Sequence, residues 1–123
     1  MGYKFKITDR KNDQFGVQFL YNSEVMVWSE SYKGKASATN CIESLKKNAP
    51  GAAVADLTKD ESAKGYRFEI AGTRDDQFMV RFVAANGEPM VISESYKAKA
   101  SAVNCIESCK KNMAGAEVED TTV

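Results

Sequence analysis

Hydrophobic and polar residues alternate from the start of the chain. Tyr3, Phe5 and Ile7 are separated by Lys4 and Lys6, the period of two that marks a half-buried strand. The polar stretch 9–13 predicts a turn. Phe15, Val17, Phe19 and Tyr21 then alternate with Gln14, Gly16 and Gln18 and predict a second strand. Asn22-Ser23 reads as a tight hairpin connection, and Val25-Met26-Val27-Trp28 as a third strand that is apolar on both faces. The period then lengthens, because Ala38, Cys41, Ile42 and Leu45 recur at helical spacing. Ser37 is predicted to cap the start of this helix, and Lys46-Lys47 suit the negative end of its dipole. Asn48 is predicted to end it in the left-handed conformation, with Pro50-Gly51 enforcing the stop. Residues 53–57 carry a short, weak strand signal.

The same order returns. Strands are predicted over 66–70, 78–84 and 90–93, with Asn86-Gly87 as a strong hairpin turn. A helix follows, with Ser101 as predicted cap, Ala102, Cys105, Ile106 and Cys109 on its apolar face and Asn112 at its end. Residues 117–120 repeat the weak strand signal. Segments 29–48 and 93–112 differ only at Gly34/Ala98, Thr39/Val103 and Leu45/Cys109. The offset between copies grows from 63 (Tyr3/Tyr66) to 64 (Ser29/Ser93), because the second hairpin is one residue longer. Residues 1–58 therefore form one repeat, 65–123 a second and 59–64 a polar linker, which predicts an α+β fold of tandem β-β-β-α-β units. The expected architecture is one antiparallel sheet with two helices on one face. Either half alone would bury too little surface for much stability, so the two are expected to share one core as a single domain.

Composition narrows the function without naming it. A hydrophobic fraction of 43% with 28% charged residues fits a folded globular chain rather than a disordered one. No apolar run approaches the roughly 18 residues of a membrane span, and the N-terminus lacks the apolar core of a secretion signal. Seventeen acidic and seventeen basic residues give zero formal net charge, which argues against general binding to nucleic acid or anionic membranes. Three cysteines, an odd number, point to reduced thiols and a cytoplasmic setting.

The aromatic first strand, the Asp-Gln-Phe turns at 13–15 and 76–78, the Ser-Glu-Ser-Tyr segments at 29–32 and 93–96 and the helices reading Asn-Cys-Ile-Glu-Ser-x-Lys-Lys-Asn occur in both halves. In these residues the chain resembles the YegP-like family (domain of unknown function 1508), a small bacterial family without an established activity. The resemblance implies that the last strand of each motif is exchanged with the other motif. Residues 54–57 would then join the strands of the second repeat, and Val118 those of the first. It supplies no catalytic residues.

Candidate chemistry is sparse. The chain has no histidine, which removes the commonest general base and zinc ligand, and three cysteines fall short of a four-thiolate metal site. No metal or cofactor is expected. Ser44-x-x-Lys47 and Ser108-x-x-Lys111 match the spacing of serine acyl enzymes, but the companion motifs of that class are missing and both serines fall at a helix end. Glycine-rich phosphate loops are absent. Cys41, Cys105 and Cys109 read as core residues, since Cys109 replaces Leu45 between repeats, with thiol-based redox or stress chemistry as the alternative. The leading site candidate is the twin helix entrance carrying Lys33, Lys35 and Ser37, and Lys97, Lys99 and Ser101. There, free amides, the positive dipole end and two lysines would suit an anion such as phosphate. A second candidate is the sheet face away from the helices, where Gln18, Arg67, Met79 and Arg81, beside Gln14, Leu20, Glu69, Gln77 and Val83, would offer a peptide or nucleic-acid surface. Trp28 has Ile92 as its counterpart, which favours packing. The expectation is a small non-enzymatic binding or accessory module, monomeric or weakly dimeric, whose exposed sheet edges form a third way to recruit a partner.

Overall fold

A computed structural model describes residues 2–122. Its elements are β1 (Tyr3–Arg10), β2 (Gln14–Tyr21), β3 (Glu24–Ser29), α1 (Lys35–Asn48), β4 (Ala53–Asp56), β5 (Arg67–Gly72), β6 (Phe78–Val83), β7 (Pro89–Ser93), α2 (Lys99–Asn112) and β8 (Glu117–Asp120). The eight strands form one sheet in the order β4-β5-β6-β7-β3-β2-β1-β8. Within each half, hairpins make the first three strands antiparallel. The halves meet where β3 pairs antiparallel with β7, matching Trp28 with Ile92.

The sheet is mixed, not antiparallel throughout. β4 lies parallel to β5 of the second repeat, and β8 parallel to β1 of the first. Each edge strand follows a helix rather than a hairpin turn, so no tight turn forces it to run against its neighbour. The last strand of each repeat thereby extends the other repeat's part of the sheet. Residues 57–59, the end of the first repeat and the first residue of the 59–64 linker, form a 3₁₀ turn, so the fourth strand stops at Asp56.

Both helices pack on one face over a single apolar cluster. Phe5 and Phe19, with ring centroids 4.9 Å apart, are matched across the seam by Phe68 and Phe82 at 4.7 Å, and all four are fully buried. Leu45 and Cys109 occupy equivalent slots with no exposure at either, which is why thiol and isobutyl group interchange between repeats. The third strand of each repeat carries one extra residue. Phe19 faces Val27 while Leu20 faces Val25, and Phe82 faces Val91 while Val83 faces Pro89. Met26 and Met90 are the surplus residues, and these bulges turn both towards the core cluster. An apolar run with no clear face at 25–28 is the sequence trace of this bulge.

Two expectations about the helix ends are corrected. Ser37 and Ser101 are not caps. The helices begin at Lys35 and Lys99, after extended Gly34 and Ala98, so each serine is the third helical residue and its amide already bonds the carbonyl of Gly34 or Ala98 at 3.1 Å. The entry point is set upstream, where Tyr32 exchanges two backbone bonds with Phe15 and Tyr96 does the same with Phe78. Asn48 and Asn112 do not turn left-handed either. The backbone stays right-handed through Ala49 and Met113, which are fully buried, and the asparagine amides donate instead to the carbonyls of Ser44 and Ser108. Burying the next apolar residue outweighs an early stop.

The repeated Ser29 and Ser93 have a structural task that composition does not disclose. Each hydroxyl accepts the amide of the neighbouring strand (Val17 at 2.9 Å, Val80 at 2.8 Å) and donates to the next carbonyl, of Glu30 or Glu94, at 2.7 Å. Both serines are buried. Ser93→Ala leaves the Val80 amide without a partner and is expected to lower stability by about 1–3 kcal/mol, with Ser29→Ala costing a similar amount. Urea unfolding measures this directly, and a loss near zero would mean that water replaces the hydroxyl.

Candidate functional site

The two helix entrances share one geometry. Lys35 reaches Asp120 of β8 at 3.0 Å and sits 5.9 Å from the Phe15 ring centroid. Lys99 reaches Asp56 of β4 at 2.8 Å and Thr58 Oγ1 at 2.7 Å, 5.5 Å from the Phe78 ring centroid. The carboxylates are held in turn by Thr58 and Thr122, whose amides donate to Asp56 and Asp120 at 3.0 and 2.9 Å. Each helix is thus clamped to the strand that its own repeat borrows from the other. Lys33, Ser37, Lys97 and Ser101 remain exposed, while Lys35 and Lys99 face carboxylates. The sequence signal for this clamp is the repeated Asp-x-Thr at 56–58 and 120–122, which sequence reasoning passed over.

On the sheet face away from the helices, Glu69 accepts from Arg67 Nε at 2.9 Å and from Arg81 Nε at 2.7 Å. Arg67 also donates to the carbonyl of Gly65. Two of the four expected face residues are therefore tied to one buried carboxylate, while Gln18 and Met79 are half-buried. Leu20 and Val83, expected outward, do lie outside the helix-side cluster, yet they are only 3% and 2% exposed. Both stand at the register shifts that mark the strand bulges. In the first repeat Arg10 lies over Gly16 and donates to the carbonyl of Ser29 at 2.7 Å; a methyl group at Gly16 would fall 2.0 Å from the guanidinium. The corresponding second-repeat position holds Met79, which is half-buried.

These carboxylates make stability pH-dependent. Burial alone would raise Asp56 and Glu69, but bonds from Lys99 and Thr58 to the first, and from Arg81 and Arg67 to the second, outweigh it and hold both below the ordinary carboxylate range. Asp120 is lowered to about 2 by Thr122 and then Lys35. A depressed folded pKa gives stability that is complete above the unfolded-state value, near 4, and lost as pH falls through the folded value. Unfolding free energy is therefore expected to be flat from pH 7 to about 5 and to fall steadily from about 4 towards 2. Asp56→Asn should flatten part of that decline, whereas an unchanged acid limb would remove Asp56 from the account.

The three cysteines are unoxidised and buried. Burial, then Glu30, raises the Cys41 thiol, partly countered by Tyr32. Cys109 is pushed up by its hydrogen bond with Cys105 and by burial. Burial is also the main cause that raises both Tyr32 and Tyr96 above the ordinary phenol range. Cys105 is instead lowered by its hydrogen bond with Cys109, against burial, so only Cys41 and Cys109 carry the raised, buried thiols that behave as small hydrophobes. Among the described residues, no three His, Cys, Asp or Glu side chains come together to hold a metal, and no helix is long and apolar enough to cross a membrane.

The feature that sequence reading did not anticipate is a cleft of about 370 Å³ where the repeats meet on the helix side. Repeat one contributes Tyr3 from β1, Tyr21 from the end of β2, and Glu24 to Met26 at the bulged start of β3. Repeat two contributes Glu94, Tyr96, and the α2 stripe Ser101, Asn104, Cys105 and Ser108, which recur at helical spacing on one side. Tyr3 and Tyr21 lie 4.6 Å apart by ring centroid, and Tyr21 remains 44% exposed. Tyr96 is fixed by its backbone bridge to Phe78. The concavity continues past Tyr3 along α2 to Lys111 and Asn112. The signal for it was present as Tyr21, an aromatic whose counterpart is Ala84.

An eight-stranded mixed sheet built from two interlocked β-β-β-α-β motifs, with duplicated lysine–aspartate clamps, defines a tandem-motif α+β protein. The profile described as "Domain of unknown function (DUF1508)" matches residues 11–56 and again 74–120, and the chain belongs to that family. A UPF0339 protein of Stutzerimonas stutzeri, named for its place in the 5' region of a ptx operon, is 32% identical over 119 residues, covering 96% of each chain. A UPF0339 protein of Caulobacter vibrioides is 50% identical over 58 residues, 47% of this chain but 98% of its own length, so the relative is a single motif. Among solved structures, the E. coli protein of unknown function yegP, determined by solution NMR, superposes with a TM-score of 0.79 at 26% identity, covering 99% of this chain and 95% of its own.

Proposed function

We propose that this protein is a non-enzymatic binding module whose ligand seat is the cleft lined by Tyr3, Tyr21 and Tyr96. The observation that carries this reading is the pairing of an exposed aromatic wall with a polar helix stripe in one concavity of about 370 Å³. Small-molecule seats have this size and this mixture of aromatic surface with a few placed polar groups. Tyr21 supports it further. A tyrosine that is nearly half exposed at a strand end contributes little to the core, and the second repeat manages with Ala84 in its place. The buried cysteines and the absence of histidine fit binding better than catalysis.

The test is an amide-shift screen of the whole chain against small organic fragments. Hits are expected to move the amides of Tyr21, Glu24, Asn104 and Cys105 as a group, and Tyr21→Ala should abolish those shifts while leaving the rest of the spectrum in place. If no fragment perturbs this group, or if hits gather at the helix entrances around Lys33 and Lys97 instead, the seat lies elsewhere.

A further inference from the structure

Resting on that reading, we infer that the cleft selects a small organic cation, an alkylammonium carrying an apolar or aromatic body. Charge balances over the whole chain, with seventeen residues of each sign, but not around the cleft. Its charged lining residues are Glu24 and Glu94, one from each repeat, and neither lysine nor arginine lines it. Among the described residues, neither carboxylate takes part in an ion pair, whereas Asp56, Glu69, Glu119 and Asp120 are all paired. The same lining holds three tyrosine rings, whose faces are electron-rich and attract an ammonium group, more strongly still once water is excluded. The remaining polar lining, Ser101, Asn104 and Ser108, supplies side-chain oxygens able to accept from an ammonium N–H. Met26 and Val25 give the ligand's body an apolar floor.

A carboxylate or phosphate would meet the opposite environment, with two like charges and aromatic faces of the wrong polarity. Lys111 lines the adjoining hollow that shares Tyr3 and Ser108, and not the cleft itself. The two candidate seats on this molecule thus have opposite preferences, which makes them separable by ligand charge alone.

The experiment titrates the full chain with three matched probes, phenethylamine, phenethyl alcohol and phenylpropionate, following amide shifts at constant ionic strength. Phenethylamine is expected to shift Tyr21, Glu24, Glu94 and Cys105, binding at least about tenfold more tightly than the alcohol, with the carboxylate weaker again. The exposed-residue double variant Glu24→Gln/Glu94→Gln should retain the fold and remove the amine's advantage over the alcohol. Equal binding of amine and alcohol would overturn the cation inference while leaving the cleft as the seat. Preference for the carboxylate would overturn it outright. Silence from all three probes, together with a negative fragment screen, would remove the cleft reading as well.

Discussion

Residues 65–123 expressed as a separate chain are expected to show no cooperative unfolding transition as a monomer. Cutting there removes β4, the parallel neighbour of β5, and β3, the antiparallel neighbour of β7, so a three-stranded remnant keeps two open edges. β8 loses β1, its strand partner. Asp56 leaves Lys99, and α2 covers half a core whose remaining apolar wall faces water. A chain of this length is marginal even with its core closed, and here the open edges and the uncovered wall remove the burial that would offset its conformational entropy. The remedy available to it is a second copy, because β8 could take the place of β4 against the other copy's β5. The single-motif relative of Caulobacter vibrioides, matched over 58 residues, has only that much chain. Sedimentation at rising concentration is therefore expected to show an unfolded monomer giving way to a folded dimer. A stable, cooperative monomer would refute the interlocked core.

Phe82→Ala is expected to cost about 3–5 kcal/mol, the range for truncating a buried phenylalanine. Phe82 is fully buried, tilted against Phe68 at 4.7 Å and stacked with Tyr66 at 6.0 Å, so the variant loses transfer energy, ring contacts and packing around the cavity left behind. Against a total of about 5–15 kcal/mol for a domain, this is a large fraction. The internal repeat supplies a control. Phe19 is fully buried with Phe5 at 4.9 Å and Tyr3 at 5.7 Å, so Phe19→Ala should fall within about 1 kcal/mol of Phe82→Ala. Urea midpoints at a common slope give both values, and a cost under about 1 kcal/mol at either site would mean that the core closes over the gap.

Much of this fold was legible in the alternation itself. Tyr3, Phe5 and Ile7, and the stripes through Cys41 and Cys105, announce their elements because one face of each is buried and solvent selects the other. The helix ends were less legible. Ser37 and Ser101 have the composition of caps, but the backbone bridges of Tyr32 and Tyr96 decide where the chain turns, and such bridges join residues far apart in sequence. Leu20 and Val83 misled for a related reason, since period two assigns a face without saying whether that face is covered. The lysines at the helix entrances were visible, whereas their aspartate partners, 85 and 43 residues away, were not.

The amino-acid sequence by itself determined that one unit is used twice, which residues of each strand and helix are apolar, and that no histidine-based chemistry is on offer. These are local properties, governed by side-chain period and composition. Only the tertiary structure decided that the edge strands run parallel to their neighbours, that Lys35 and Lys99 clamp those strands, and that Tyr3, Tyr21 and Tyr96 meet in one cleft. Each of these depends on which distant segments come into contact, and that is settled by burying two apolar faces in a single core.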